Sequence, residues 1–175
     1  MKHNNETFDT EKYQKGVQSI IKKNYKLAEK IFYEILAKFP NHLNSIFLAG
    51  FSLYEQKKNI KSLEYLIKAS SLKKNFRDAD YFIGKIYQDL KQYEKAEEYL
   101  KKIFDIYIDD LESLINLVKT KINLKKFQDA DILLKNNKKL FKNDETYENL
   151  FGYLYLHSGK NNLSIKHYLE SFKKN

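Results

Sequence analysis

The chain has 175 residues, 42% of them hydrophobic and 15% aromatic, and only one proline and five glycines, which favours a mostly helical array around a continuous core. The absence of cysteine excludes a disulfide framework, a thiolate metal site and a nucleophilic thiol. The formal net charge of +9 rests on lysine, with Arg77 the only arginine, and this argues against nucleic-acid binding because arginine is favoured for bidentate phosphate recognition.

The chain opens with a polar segment, residues 1–8, which we expect to be a disordered lead-in. This segment lacks the apolar run of a signal peptide. No run elsewhere approaches the roughly 18 apolar residues of a membrane-spanning helix. A cytoplasmic protein without a membrane partner is therefore expected.

From Asp9 onward, small residues recur every 34 positions in two predicted helices. The first column holds Gly16, Gly50, Gly84 and Gly152 and is broken only by Val118, and the second holds Ala28, Ser62, Ala96, Ala130 and Ser164. The spacing predicts five repeats, at 9–42, 43–76, 77–110, 111–144 and 145–175, the last ending without a separate capping helix.

Each repeat has the pattern of a helix hairpin. In the first repeat Asn24 is a candidate N-cap, and the following helix places Ala28, Ile31, Phe32 and Ile35 on one face. A small side chain where two helices cross lets their backbones approach and large neighbours interlock. One hairpin cannot bury both its faces, so we expect the hairpins to stack as a solenoid.

The repeats resemble tetratricopeptide repeats, most clearly in the third, where Ile83, Gly84, Tyr87 and Ala96 match the family pattern. The chain departs from that pattern in lacking tryptophan and in having a closing proline only at Pro40. Further departures are two lysines at usually apolar places, Lys15 and Lys121. The resemblance covers the chain from Asp9 onward and implies an all-α, right-handed α-solenoid of five 34-residue helix-turn-helix repeats.

The resemblance also implies that the first helices line a concave groove. An aromatic and apolar groove suits a peptide or protein ligand, and it predicts a non-catalytic interaction scaffold. Within it, Lys85 and Lys119 stand one repeat apart and are a candidate anchor for one anionic group. The predicted groove residues are Tyr13, Val17, Ile20, Phe47, Phe51, Tyr54, Tyr81, Lys85, Gln88, Ile115, Lys119, Asn149, Tyr153 and Leu156.

Two other functions stay open. The chain could be the recognition module of a transferase-type enzyme, or it could bind nucleic acid or another anionic partner weakly along a ridge of turn lysines. Those lysines are Lys22, Lys23, Lys57, Lys58, Lys91, Lys125, Lys126 and Lys160. No catalytic residue, metal or cofactor is expected of this chain itself, because the four histidines lack ligand spacing and no phosphate loop occurs.

The last predicted helix is more apolar than the end of a solenoid usually is. It carries Leu163, Ile165, Tyr168, Leu169 and Phe172. We therefore expect that this helix either pairs with another copy of the chain or belongs to a longer protein.

Overall fold

The computed structural model describes residues 8–142 and 144–173. Residues 1–7 of the predicted lead-in lie outside this range, as do residues 143, 174 and 175. The described chain is all-α, without a strand, and has ten α-helices in consecutive packed pairs, the arrangement of an α-solenoid. The α-helices are α1 Thr10–Ile21, α2 Tyr25–Lys38, α3 Leu43–Glu55, α4 Asn59–Leu72, α5 Arg77–Asp89, α6 Tyr93–Ile106, α7 Leu111–Asn123, α8 Phe127–Asn136, α9 Asp144–His157 and α10 Asn161–Lys173.

The described residues form two compact halves, divided between Ile86 and Tyr87. In the N-terminal half the core includes Phe32 and Ile35 of α2, with Ala49 of α3 beside them. Phe8, the last residue of the predicted lead-in, packs against this cluster, with its ring centroid 4.4 Å from that of His42. The core of the C-terminal half is built from α7 to α9 and includes Leu114, Val118, Leu134, Phe141, Leu150 and Leu154.

The glycine column marks close helix crossings. A Cβ atom added to Gly16 would lie 2.8 Å from Cζ of Phe32, and one added to Gly50 would lie 2.9 Å from Cγ of Leu66. At Gly152 the added atom would lie only 2.6 Å from Cε1 of Tyr168. Glycine is therefore favoured at these crossings for the reason that the sequence predicts, because a larger residue would force the large side chain of the second helix to shift.

The second small column adds a polar contact in two hairpins. Ser62 Oγ donates a hydrogen bond to the carbonyl oxygen of Gly50 at 2.7 Å, and Ser164 Oγ donates to that of Gly152 at 2.8 Å. Both serines are buried, so the bond satisfies a hydroxyl that would otherwise be costly to bury. Serine can thus replace alanine in this column.

The fourth hairpin departs from the others at both helices. Val118 occupies the glycine position and is fully buried. The second helix, α8, ends early at Asn136 and is followed by a 3₁₀ turn, Lys138–Leu140. Phe141 then packs into the same cluster as Val118. In this hairpin, a larger residue at the helix crossing, Val118, is accompanied by a shorter second helix, α8.

The turn inside each hairpin has one residue in the left-handed backbone region. These residues have φ between 56° and 77°. Four are lysines and only the last is glycine, the residue that adopts this conformation without steric cost. They are Lys23, Lys57, Lys91, Lys125 and Gly159.

Candidate functional site

A concave surface pocket of about 510 Å³ lies between α7 and α9 in the C-terminal half. Four predicted groove residues line it, together with Thr146, Leu150 and Tyr168. The four are Ile115, Lys119, Asn149 and Tyr153. The structure thus brings these residues from two first helices to one place.

Helical spacing positions the lining. Ile115 and Lys119 are one turn apart on α7, and Asn149 and Tyr153 are one turn apart on α9, so each pair lies on one helix face. Tyr168 belongs to the second helix α10. Its ring reaches the pocket because Gly152 leaves room for it against α9.

The pocket combines a lysine and several hydrogen-bond donors with an apolar residue. Leu150 is almost fully buried, whereas Lys119 and Asn149 are exposed. Burial, followed by the nearby phenol of Tyr153, raises the pKa of Tyr168 above its ordinary value of 10. Among the described lining residues there is no carboxylate. The pocket therefore suits an apolar side chain that lies next to an acceptor or an anionic group.

In the N-terminal half, three predicted groove residues of α3 surround one ring of α5. The centroids of Phe47, Phe51 and Tyr54 lie 6.2, 5.1 and 5.2 Å from that of Phe82. All four rings are half-buried, so each combines packing with some accessible surface. Tyr81 differs, because its side chain is only 8% exposed and Arg77 lies 5.0 Å from its ring centroid.

The predicted groove residues of α1 act largely in packing. Tyr13, Val17 and Ile20 are half-buried against the cluster that contains Phe32. The Tyr13 ring meets the Phe32 ring edge-on with centroids 5.9 Å apart. These side chains therefore support the first hairpin and present only part of their surface.

The remaining predicted groove residues are not gathered with the pocket lining. Gln88 is half-buried, and its amide donates to the carbonyl oxygen of Asn116 at 3.0 Å and to Thr120 Oγ1 at 2.7 Å. Lys85 is half-buried on α5 and also interacts with another group of the protein. Leu156 is 50% exposed near the end of α9, outside the pocket lining.

Sequence reasoning missed four residues of these sites. Thr146 and Leu150 extend the α9 face of the pocket, and Phe82 is the ring on which the α3 aromatics converge. Tyr168 appears in the sequence analysis only as an apolar residue of the last helix, yet it lines the pocket. The sequence did offer a signal for Tyr168. Three other repeats have leucine at the equivalent position, and a tyrosine side chain extends further past the glycine of the first helix than a leucine does.

The described residues hold no group of histidine, aspartate and glutamate side chains suited to a metal ion. His167 Nδ1 lies 2.6 Å from Glu148 Oε2, and its ring stacks on Phe151 with centroids 5.2 Å apart. This is a packed pair on α9 and α10. None of the described helices combines the length and apolarity needed to cross a bilayer.

Comparison with known proteins shows what the chain is similar to. No protein-family model matches it, and neither does any curated protein. Its structure is similar to that of residues 41 to the end of MamA from Desulfovibrio magneticus RS-1, with a TM-score of 0.85, 13% identity, and 94% of this chain and 93% of that chain covered. A double mutant of MamA RS-1 gives a TM-score of 0.84 at 13% identity, covering 94% of this chain and 92% of that one. MamA MSR-1 gives a TM-score of 0.78 at 15% identity, with 93% of each chain covered.

MamA is a protein of the tetratricopeptide type. The chain therefore has the tetratricopeptide-repeat fold.

Proposed function

We propose that the protein is a non-catalytic interaction scaffold that binds a segment of a partner protein against the first helices of its hairpins. The observation that carries this proposal is the pocket between α7 and α9, because four side chains from two successive first helices line it. Stacked helical hairpins commonly use such surfaces to bind extended or helical segments of other proteins.

The side chains of the pocket support a protein ligand. Tyr153 and Tyr168 offer large, rigid contact surfaces with polar ends, which lose little conformational entropy on binding. Asn149 can pair with a peptide group, and Lys119 can attract an acidic side chain. The partially exposed rings of Phe47, Phe51 and Tyr54 supply further contact surface within the N-terminal half.

A first experiment identifies the partner through the pocket. A photoreactive benzoylphenylalanine replaces the exposed Asn149, and the purified full chain is irradiated in an extract of the source cells. The control carries the same photoreactive residue at Lys101, an exposed position on the second helix α6. We expect a protein that crosslinks at position 149 and not at 101, with the attached peptide identified by mass spectrometry.

A second experiment measures the contribution of the pocket to affinity. Lys119→Glu and Asn149→Ala should each weaken binding of the crosslinked peptide by about tenfold, as expected for a central contact of a small interface. The matched control is Lys101→Glu, which makes the same charge change on α6 and should leave affinity unchanged. Equal affinities for all three variants in calorimetry would contradict the proposal.

The ridge of turn lysines supports binding of an anionic partner less well than the pocket supports binding of a protein segment. Lys58 Nζ is 2.8 Å from Glu29 Oε2, and Lys126 Nζ is 2.6 Å from Glu97 Oε2. These two turn lysines therefore have carboxylate partners within the fold, which lowers the positive charge that the ridge presents. Binding that falls steeply with salt and ignores Lys119→Glu would favour the ridge over the pocket.

A further inference from the structure

A second surface pocket, of about 520 Å³, lies where the fourth hairpin meets the turn of the fifth, and we refer to it as the turn pocket. Its lining comes from α8, from the end of α9 and from the turn before α10. It shares no lining residue with the pocket between α7 and α9. The lining includes Phe127, Asp131, Tyr155, Ser158 and Lys160.

The equivalent place holds a carboxylate in two other pairs of successive hairpins. Glu29 of α2 accepts hydrogen bonds from Lys58 Nζ at 2.8 Å and from the Gln56 amide at 2.7 Å. Glu97 of α6 accepts one from Lys126 Nζ at 2.6 Å. Lys58 and Lys126 each directly precede the second helix of the next hairpin. In both pairs, a glutamate of one hairpin therefore contacts the turn lysine of the next.

This contact is missing between the fourth and fifth hairpins. The 34-residue step places Asp131 and Lys160 at the positions of the glutamate and the lysine. Asp131 is one methylene shorter than glutamate and pairs instead with Lys135 of its own helix at 2.7 Å. Lys160 Nζ lies 5.9 Å from the centroid of the Tyr155 ring, and no carboxylate of the described residues pairs with it.

A second small side chain leaves the turn pocket open. Ser158 stands where the three preceding hairpins have larger residues, which are Gln56, Leu90 and Leu124. Its hydroxyl donates to the carbonyl oxygen of Tyr155 at 3.2 Å, so it is directed back to its own helix. A short acid at position 131 and a serine at position 158 thus leave room for a side chain of another molecule. The volume lies within the usual range of ligand pockets.

The charges of the turn pocket favour an acidic ligand. Lys135 is paired with Asp131, so Lys160 leaves the lining with one net positive charge. Helix α10 begins at Asn161, directly after Lys160, and the partial positive charge of its N-terminus adds to that of the ammonium group. An incoming carboxylate would therefore find the kind of partner that Lys58 and Lys126 already provide within the fold.

The remaining lining residues suit the rest of a glutamate and its neighbours. Phe127 and Tyr155 are half-buried rings that can pack against methylene groups. Gln128 is exposed, and its amide can donate a hydrogen bond, as Gln56 does. We propose that the turn pocket binds a glutamate side chain of a partner protein, in the place that a glutamate of the chain itself fills in other hairpins. This site does not depend on the pocket between α7 and α9.

A titration followed by nuclear magnetic resonance on the full, isotope-labelled chain tests the site. The probe is the blocked tripeptide acetyl-Leu-Glu-Leu-amide, whose only carboxylate is the glutamate side chain. The matched control peptide is acetyl-Leu-Gln-Leu-amide, which has the same shape and no charge. We expect shifts of the Gln128 and Lys160 amide signals at millimolar peptide, with the neutral peptide binding about tenfold more weakly.

Two variants separate the charge of the turn pocket from its space. Lys160→Gln should weaken binding of the acidic peptide about tenfold, whereas Lys166→Gln, which removes another exposed lysine of α10, should bind like the wild type. Asp131→Glu combined with Ser158→Leu installs the residue types of the preceding pair of hairpins and should remove binding by filling the space. Circular dichroism confirms that each variant is folded.

The proposal predicts that Lys119→Glu leaves this binding unchanged, so its outcome is separate from that of the pocket between α7 and α9. A tenfold loss in that variant, with shifts at Lys119 and Asn149, would assign the peptide to the other pocket and overturn the proposal. The absence of shifts at Gln128 and Lys160, equal binding of the two peptides, or undiminished binding by Lys160→Gln or by the filled variant would also overturn it.

Discussion

At the level of single residues, the hairpin turns hold lysine in a conformation that suits glycine. Lys23, Lys57, Lys91 and Lys125 have φ between 56° and 62°, and Gly159 has φ of 77° at the equivalent place. The left-handed region costs a residue with a Cβ atom about 1 kcal/mol or more. Backbone bonds across each turn compensate, such as the one from Lys126 N–H to the carbonyl oxygen of Lys121 at 2.9 Å.

This strain can be measured by exchanging the two residue types. Lys125→Gly should raise the free energy of unfolding by about 1 kcal/mol, because glycine removes the steric cost. Gly159→Lys should lower it by a similar amount, since no described heavy atom lies within 4 Å of an added Cβ atom and only the backbone conformation is penalised. Urea unfolding gives both values, and two changes of the same sign would contradict the argument.

At the level of elements, α3 begins with an unusual cap. His42 Nδ1 accepts a hydrogen bond from Ser45 N–H at 3.3 Å and lies 2.8 Å from Ser45 Oγ. The ring also packs against Phe8 and Tyr13, and burial lowers the pKa of His42 below its ordinary value of 6.5. Only the neutral ring can accept at Nδ1, so protonation removes the cap.

The cap predicts a pH dependence of stability. Because the pKa of His42 is lower in the folded state, its contribution is fully present above about pH 6.5 and is lost as the pH falls through the folded pKa. His42→Asn keeps a capping acceptor that does not titrate, so stability should decline less between pH 7.5 and about pH 5 than in the wild type. Parallel declines in thermal unfolding would show that His42 does not carry the effect.

A second element-level feature ties α6 to α7. Glu97 accepts from Lys121 at 2.8 Å and from Lys126 at 2.6 Å, and the side chains of Glu97 and Lys121 are each 15% exposed. Burial raises the pKa of Glu97, but the two ammonium groups outweigh it and leave this pKa below its ordinary value of 4.5. Lys121, which departs from the family pattern at a usually apolar position, thus has a carboxylate partner.

Removing this carboxylate should be costly. Glu97→Ala leaves the Lys121 ammonium largely buried without its main partner, and we expect a loss of about 2 kcal/mol in the free energy of unfolding. The control Asp131→Ala breaks an exposed pair within α8 and should cost less than about 0.5 kcal/mol. The difference should vanish as the pH falls below the folded pKa of Glu97, where that carboxyl becomes protonated.

At the level of the whole molecule, the fold could be predicted because its determinants are local and repeated. Small residues at Gly16, Gly50 and Gly152 predict helix crossings, and the structure places Phe32, Leu66 and Tyr168 against them. The predicted all-α class and the tetratricopeptide resemblance are confirmed. The early end of α8 at Asn136 was not predicted, because the spacing of apolar residues does not show that Phe141 packs beside Val118 in one core.

The groove was less predictable than the fold. On a helix, groove-facing and core-facing positions adjoin. The spacing of residues therefore does not tell whether the Gln88 side chain faces a ligand or donates hydrogen bonds to Asn116 and Thr120 within the fold. The same limit applies to Tyr81, whose burial depends on its neighbours. The groove therefore stays a prediction, supported most directly where Lys119 and Asn149 border the pocket.

One side chain belongs both to the pocket and to a helix crossing. The Tyr168 ring lines the pocket, and the same ring packs against Gly152, where α9 and α10 cross. A peptide seated in the pocket would therefore contact a side chain that also packs between these two helices. If occupancy of the pocket alters the stability of this crossing, thermodynamic reciprocity requires that the crossing alter affinity by the same factor. Ligand binding and the packing of the last hairpin would then be communicating equilibria, with Tyr168 as their common element.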